Sequence, residues 1–196
     1  MTSSVVRGRQ QFLLLAALFF GPLIAAVLLY FVFPQWVPEQ RTNYGELVAP
    51  ARPIPAANLL QVDGQPAGDG ALRGKWSFVF VGAERCDDAC RDKLYQIRQI
   101  RTLLNEKRVR VQRVYIAPTV ASAAGAAEAL HELHPDLHVF ADTDNADYRR
   151  FFAGDDPRAL FLIDPLGNWL MLYPGDADSE GILKDIRRLL RISQIG

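Results

Sequence analysis

The sequence predicts an α/β fold, a mixed sheet with helices on both faces, preceded by one N-terminal transmembrane helix. Three observations lead to this fold class. Residues 12–33 form an uncharged, almost wholly apolar run of 22 residues. From about residue 57, short apolar runs alternate with segments of helical periodicity, which is typical of parallel strands joined by helices. Residues 164–167, DPLG, predict a tight turn that adds an antiparallel strand.

The apolar run at residues 12–33 has the length of a membrane anchor. A helix of this length spans about 33 Å, close to the hydrocarbon thickness of a bilayer. A cleaved signal peptide is the alternative, but the run exceeds a typical signal core and no small-residue cleavage site follows it. Arg7 and Arg9 precede the run without an acidic residue, which predicts a cytoplasmic N-terminus at residues 1–11. We therefore expect a single-pass protein of the bacterial inner membrane whose C-terminal domain is periplasmic.

The segment after the anchor differs in composition from the domain that follows it. Residues 34–56 contain five prolines and few large apolar residues, which predicts an extended, semi-rigid tether. The domain at residues 57–196 then begins with a strand at residues 59–62, which leads into the turn signal Asp63-Gly64.

The remaining elements of the domain follow from apolar patterning. Residues 76–81 form a continuous apolar run with one Ser, which predicts a buried central strand. After Cys86, apolar residues recur at spacings of three and four as far as Leu104, which indicates an amphipathic helix. Pro135 ends the next helix. The same criteria predict strands near residues 109–116, 137–141, 159–163 and 168–173, and helices near residues 121–133, 144–153 and 182–192.

Charge and cysteine content exclude several classes of protein. The chain has 22 basic and 22 acidic residues, so no overall electrostatic attraction to nucleic acid exists. Its two cysteines are too few for a disulfide-rich scaffold or a four-cysteine zinc site. They suffice for one disulfide, one redox couple or part of a metal site.

Cys86 and Cys90 are the candidate chemical groups. They lie four residues apart where the strand at residues 76–81 gives way to a helix, and this spacing is short enough for a disulfide. Cys90 continues the apolar stripe, so we expect it to be the more buried thiol and Cys86 the more exposed one. Such a pair suits thiol–disulfide exchange, and two thiolates also suit Cu(I). A purely structural disulfide is the alternative.

The pattern around these cysteines resembles the SCO/SenC family. The resemblance rests on the strand at residues 76–81, the segment GAERCDDAC at residues 82–90 and the turn DPLG at residues 164–167. It implies a membrane-anchored, thioredoxin-like fold and a role in assembling the copper centre of cytochrome c oxidase. It further implies that Cys86 and Cys90 are redox or copper-binding thiols, and that the partner is an oxidase subunit or another assembly factor.

The chain departs from this family in one potential copper ligand. The family's third ligand is a histidine eight residues before the Asp of the turn, and Asp156 occupies that position here. A carboxylate suits Cu(I) poorly beside two thiolates, which favours thiol–disulfide exchange over copper binding. A general thiol–disulfide oxidoreductase and a non-catalytic membrane scaffold are the alternative functions.

Other polar residues are interpreted as solvated surface. The three histidines, His131, His134 and His138, are expected at the end of the sheet away from the cysteines. Six basic residues form a stretch that is also expected to face solvent: Arg98, Arg101, Lys107, Arg108, Arg110 and Arg113.

Overall fold

The computed structural model describes residues 3–32, 43–56, 58–142 and 146–196, which fall into two compact units divided after residue 42. The first unit contains one long helix, α1 (Ser3–Val32). Its segment Arg9–Val32 is long and apolar enough to cross a membrane, and none of its most apolar stretch is buried against protein. The predicted N-terminal apolar helix is therefore confirmed as a candidate membrane span.

The second unit contains a six-stranded mixed sheet in the order β1-β6-β5-β2-β3-β4. Strands β2, β3 and β4 are mutually parallel, and β5 and β6 are antiparallel to each other, as the tight turn between them predicts. Strand β5 also runs antiparallel to β2, which differs from the parallel pairing expected of strands joined by helices. The strands are β1 (Glu46–Pro53), β2 (Trp76–Val81), β3 (Val111–Ala117), β4 (Leu137–Ala141), β5 (Leu160–Ile163) and β6 (Asn168–Tyr173). The helices of this unit are α2 (Asp88–Thr102), a 3-10 helix (Asn105–Arg110), α3 (Val120–Leu130), α4 (Asp147–Phe151) and α5 (Ser179–Ile192).

The core has two layers, one on each face of the sheet. Alternate residues of β2 supply both layers: Phe78 packs with α2, α3 and α5, and Val79 packs towards α4. The second layer is rich in aromatic rings, among them Phe152 and Trp169, whose ring centroids are 5.7 Å apart. Helices therefore cover both faces, as the sequence predicts.

Strand β1 corrects the interpretation of residues 34–56 as a tether. Residues 46–53 pair with β6 at the edge of the sheet, where prolines are tolerated because an edge strand leaves one side of its backbone unpaired. Asp185 of α5 fixes the start of this strand, since its Oδ2 accepts hydrogen bonds of 2.9 Å from the amides of Tyr44 and Gly45. Residues 34–42 of the expected tether lie outside the described residues.

The first strand expected in the domain is also different. Residues 59–62 contribute only isolated bridges from Leu60, one of them to Ala141 at the end of β4. The segment then turns at once, because the amide of Gln65 donates to the side chain of Asp63. The expected helix at residues 144–153 is shorter, Asp147–Phe151, and residues 143–145 lie outside the described part of the chain.

A buried ion pair corrects the interpretation of the basic stretch. Arg113 on β3 is fully buried, and its guanidinium donates to both carboxylate oxygens of Asp136 and to the carbonyl of Leu94. Arg101 donates to the same carboxylate at 2.8 Å. His134, expected on the surface, is buried with its Nδ1 3.2 Å from Arg113 Nη1. These polar groups join β3 to α2 and to the segment that enters β4.

Arg110 has a second structural role. Its guanidinium donates to four backbone carbonyls at the end of the chain, at distances of 2.7 to 2.9 Å. These carbonyls lie in the last turn of α5 or directly after it. The last turn of a helix has carbonyl acceptors that find no donor within the helix. Arg110 therefore attaches the C-terminal segment to the sheet, and it too is not a simple solvated side chain.

The ion pair at Asp136 generates a prediction about stability. Burial alone would raise the pKa of Asp136, but the hydrogen bond and charge of Arg113 and the charge of Arg101 hold it below its ordinary value. Asp136→Asn is expected to lower the free energy of unfolding by about 2–3 kcal/mol, less than for a fully buried pair because the carboxylate is about one-third exposed. Urea unfolding of the full chain in a nonionic detergent measures this change.

The control is Asp92→Asn, an exposed acidic residue on the same helix as Arg101, which is expected to change stability by less than about 0.5 kcal/mol. A lowered carboxyl pKa stabilises the fold above the unfolded pKa, about 3.9, and this contribution is lost as pH falls through the folded pKa. The difference between wild type and Asp136→Asn should therefore shrink below about pH 4. Equal stability of the two proteins at pH 7 would contradict the prediction.

Candidate functional site

The cysteines lie on a loop that one close contact holds against the sheet. The amide of Gly82, directly after β2, donates to Ile116 of β3 at 2.9 Å. A Cβ at Gly82 would lie only 2.0 Å from the hydroxyl oxygen of Tyr115, so no side chain fits at this position. The Tyr115 hydroxyl in turn donates to the carbonyl of Ala83 at 3.2 Å. These contacts direct the chain away from β2 and towards α2.

Asp87 then starts helix α2 and positions the second cysteine. As the N-cap residue, it accepts a hydrogen bond of 2.9 Å from the amide of Cys90 through its Oδ1. This is the usual role of Asp at a helix start, where the first amides have no acceptor within the helix. The side chain of Asp87 therefore has a structural role of its own.

Cys86 and Cys90 form a disulfide, with their Cα atoms 5.2 Å apart. Cys86 is half-buried, whereas Cys90 is 7% exposed and packs in the core layer beneath α2. The structure thus brings the two predicted residues together with the expected difference in exposure. Because Cys86 is the more exposed residue, we expect a thiol that approaches from solvent to reach its sulfur first.

Arg91 provides a positive charge beside the disulfide. Its Nη1 donates to the carbonyl of Cys86 at 2.9 Å, and its other terminal nitrogen forms an ion pair with Asp88. The Asp88 carboxylate is therefore already paired with a cation. Arg91 thus holds the backbone of Cys86 to the first turn of α2.

Asp156 reaches the same edge of the sheet because of the strand order. Strand β2 ends opposite the start of β5, and β5 starts opposite the end of β6. The loop before β5, which contains Asp156, and the loop after β6, which contains Gly175, therefore both lie beside the cysteine loop. Asp156 and Cys90 line one cleft of about 440 Å³.

The carboxylate of Asp156 is already bound by backbone amides. Its Oδ2 accepts from Gly175 at 2.5 Å and its Oδ1 accepts from Arg158 at 2.9 Å, and these two bonds lower the pKa of Asp156. Lys93 of α2 reaches the same turn, because its Nζ donates to the carbonyl of Gly175 at 2.7 Å. Burial lowers the pKa of Lys93, and the charge of Asp156 acts in the opposite direction. Asp156 and Lys93 together hold three segments around Gly175.

These contacts fit a three-ligand metal site poorly. Among the residues that the structure describes, no group of three His, Cys, Asp or Glu side chains could hold a metal ion. The three histidines line a separate cavity of about 310 Å³ beside β4, with His131 and His138 exposed as expected. Among the described residues that line this site, the two cysteine sulfurs, once reduced, are the soft ligands.

The cleft beside Cys90 contains residues that sequence reasoning missed. We call it the basic cleft, because three arginines line it: Arg85, Arg149 and Arg158. A second cleft of about 440 Å³ lies on the other side of the cysteine loop, between Cys86 and the small residues of α3. The sequence contained one clue to these arginines, because Arg149 and Arg158 lie on either side of Asp156 in the chain. The resemblance to SCO proteins already implied that Asp156 lies near the cysteines, but only the folded structure shows that Arg149 and Arg158 line the same cleft.

Comparisons with known proteins agree with this architecture. A family model described as "Transmembrane-like, N-terminal domain" matches residues 3–32, and another described as "Transmembrane-like, thioredoxin-like, C-terminal domain" matches residues 76–193. The mouse protein named "Protein SCO2 homolog, mitochondrial" is 27% identical over 175 aligned positions, which cover 79% of this chain and 68% of that protein.

Two solved structures show the same fold. Apo Sco1 from Thermus thermophilus has a TM-score of 0.61 at 19% identity, covering 77% of this chain and 99% of its own. Yeast Sco1 with copper bound has a TM-score of 0.58 at 21% identity, covering 73% and 93%. The predicted thioredoxin-like fold and the resemblance to SCO proteins are confirmed. The C-terminal family model matches more than half of the residues of this chain, and the chain therefore belongs to the family of transmembrane-like, thioredoxin-like proteins.

Proposed function

We propose that the protein is a membrane-anchored thiol–disulfide exchange factor that assists assembly of the copper centre of cytochrome c oxidase. Its N-terminus would be cytoplasmic and its thioredoxin-like domain periplasmic, in the bacterial inner membrane. The observation that carries the proposal is the disulfide between a half-buried Cys86 and a buried Cys90 at the start of α2. The likeness to SCO proteins supports the oxidase as the destination.

The reaction requires both cysteines in sequence. In the reduced protein, the Cys86 thiolate attacks a disulfide of the target, forms a mixed disulfide and displaces one target thiolate. The Cys90 thiolate then attacks the Cys86 sulfur, which releases the second target thiolate and closes the Cys86–Cys90 disulfide. Two electrons pass to the target, and a dithiol reductant regenerates the protein.

Copper binding is the weaker candidate for this site. Two thiolates suit Cu(I), and yeast Sco1 has a structure with copper bound. In this chain, however, the carboxylate at the position of the family's histidine already accepts amides from Gly175 and Arg158. If Cu(I) is a cargo of this protein, Cys86 and Cys90 would hold it without Asp156.

The order of the two cysteines gives the first functional prediction. Each single-cysteine variant keeps one thiol: Cys90→Ala keeps Cys86, and Cys86→Ala keeps Cys90. The Cys86 thiol is expected to react with an aromatic disulfide reagent at least about tenfold faster than the Cys90 thiol, because Cys90 is only 7% exposed. Absorbance of the released thiolate measures the rate in the reduced full chain in nonionic detergent. Equal rates would contradict the assignment of Cys86 as the attacking group.

The same variant tests the destination. In cells, Cys90→Ala is expected to accumulate a mixed disulfide with a subunit of cytochrome c oxidase, identified by mass spectrometry of the trapped complex. Many unrelated trapped proteins would instead support a general oxidoreductase. Full complementation of a deletion strain by the Cys86→Ser, Cys90→Ser double variant would support a non-catalytic scaffold and reject both thiol functions.

The contacts of Asp156 give a prediction about copper. The reduced wild-type chain is expected to lose Cu(I) to a chromogenic chelator, whereas Asp156→His is expected to retain it at least about tenfold better, because imidazole adds a third suitable ligand beside Cys90. Asp155→His is the matched control, since Asp155 is exposed and does not line the cleft. Tight one-to-one binding by the wild type, lost when either cysteine becomes serine, would make copper transfer the better function.

A further inference from the structure

We propose that the basic cleft binds an acidic peptide segment of the protein whose cysteines are exchanged. This inference rests on the proposed function, because it names the substrate class of the same site. The cleft lies between the cysteine loop and the segment before β5, and its charged rim consists of Arg85, Arg149 and Arg158.

The arginines of this rim have guanidinium N–H groups that are available to a ligand. Within the described residues, the guanidinium groups of Arg85 and Arg149 make no hydrogen bond and no ion pair, and both residues are exposed. Arg158 lies 3.9 Å from the Asp156 carboxylate, too long for a hydrogen bond. Guanidinium groups bind carboxylates through paired N–H donors, so a ligand with carboxylates matches this rim.

The acidic residues of the cleft already accept hydrogen bonds from backbone amides. Asp87 accepts from the amide of Cys90, and Asp156 accepts from the amides of Gly175 and Arg158. Three guanidinium groups therefore face two carboxylates that are already hydrogen-bonded to backbone. The cleft has an excess of one positive charge and a larger excess of unused donors.

The remaining lining of the cleft favours a peptide over a small anion. Phe152 and Phe161, which are nearly buried, contribute apolar surface, and the volume of about 440 Å³ lies in the range of sites for small organic groups. Arg85 directly precedes Cys86 and lines the clefts on both sides of the cysteine loop. A segment bound at Arg85 is thus one residue from the sulfur that reacts first.

Binding can be measured apart from exchange with a peptide that contains no cysteine. The probe has four Asp or Glu residues around one Leu, and its partner peptide has Asn and Gln instead. In NMR spectra of the oxidised full chain in nonionic detergent, the acidic peptide is expected to shift the amide signals of Gly82, Ala83 and Gly154 saturably. Its affinity should exceed that of the amide peptide at least about tenfold and fall as salt increases.

Matched charge variants test the rim. The double variant Arg85→Glu, Arg149→Glu is expected to weaken binding of the acidic peptide at least about tenfold. The control is Arg108→Glu, Arg150→Glu, which changes net charge equally at exposed positions outside the cleft and should leave binding within about twofold. Equal losses in both variants would show a general charge effect and overturn the proposal. An equal shift of the same signals by inorganic phosphate would assign the cleft to simple anions and also overturn it.

A second measurement separates this inference from the proposed function. The reduced chain is mixed with acidic and amide peptides that each carry one disulfide. Exchange with both peptides at equal rates would retain the function and reject the acidic substrate class. Binding of the cysteine-free acidic peptide without exchange of either disulfide peptide would retain the cleft and reject thiol exchange.

Discussion

The contact between the backbone of Gly82 and the hydroxyl of Tyr115 determines where the chemistry of this protein lies. Tyr115 is fixed within β3, at the centre of the parallel part of the sheet, so the chain leaving β2 must pass over its hydroxyl. The hydrogen bond to Ala83 then bends the loop towards α2, where Asp87 caps the helix. Because the helix starts there, Cys90 points into the core and Cys86 remains at the surface. The start of α2, the position of the disulfide and the unequal exposure of its cysteines thus all depend on Gly82, where there is no space for a side chain.

The second constraint is the assembly around Gly175. Its amide binds Asp156 and its carbonyl binds Lys93, so the loop before β5 and helix α2 are held to the turn after β6. A carboxylate suits this role because it accepts two amides at once, which a histidine side chain cannot do. The difference between this chain and the SCO pattern at position 156 is therefore more than the exchange of one ligand type for another. It changes a residue that could face a metal into one that shapes the wall of the cleft.

Sequence patterning predicted the elements whose apolar residues are consecutive or periodic and failed where distant partners decide. The strand at residues 76–81 matches β2 at both ends, since a continuous apolar run between turn signals has few alternative structures. Strand β1 was missed because its exposed, proline-containing sequence becomes a strand only against the free edge of β6. Arg113 was placed on the surface because its partner Asp136 lies 23 residues away. The cysteine pair was predictable because its members are four residues apart in the chain, whereas Asp156 and Gly175 are 19 residues apart.

The position of the disulfide between two clefts bears on how such a site can select its target. Thiol–disulfide exchange by itself hardly distinguishes one partner protein from another, because the reacting atoms are the same in every partner and only access to the sulfur differs. Selectivity must therefore come from surfaces next to Cys86 that a partner contacts before the sulfurs meet. Here one neighbouring surface is lined by small residues of α3 and the other by arginines whose acidic neighbours are already bonded to backbone. Because the basic cleft contributes two further arginines, Arg149 and Arg158, we expect charge to distinguish partners mainly on that side.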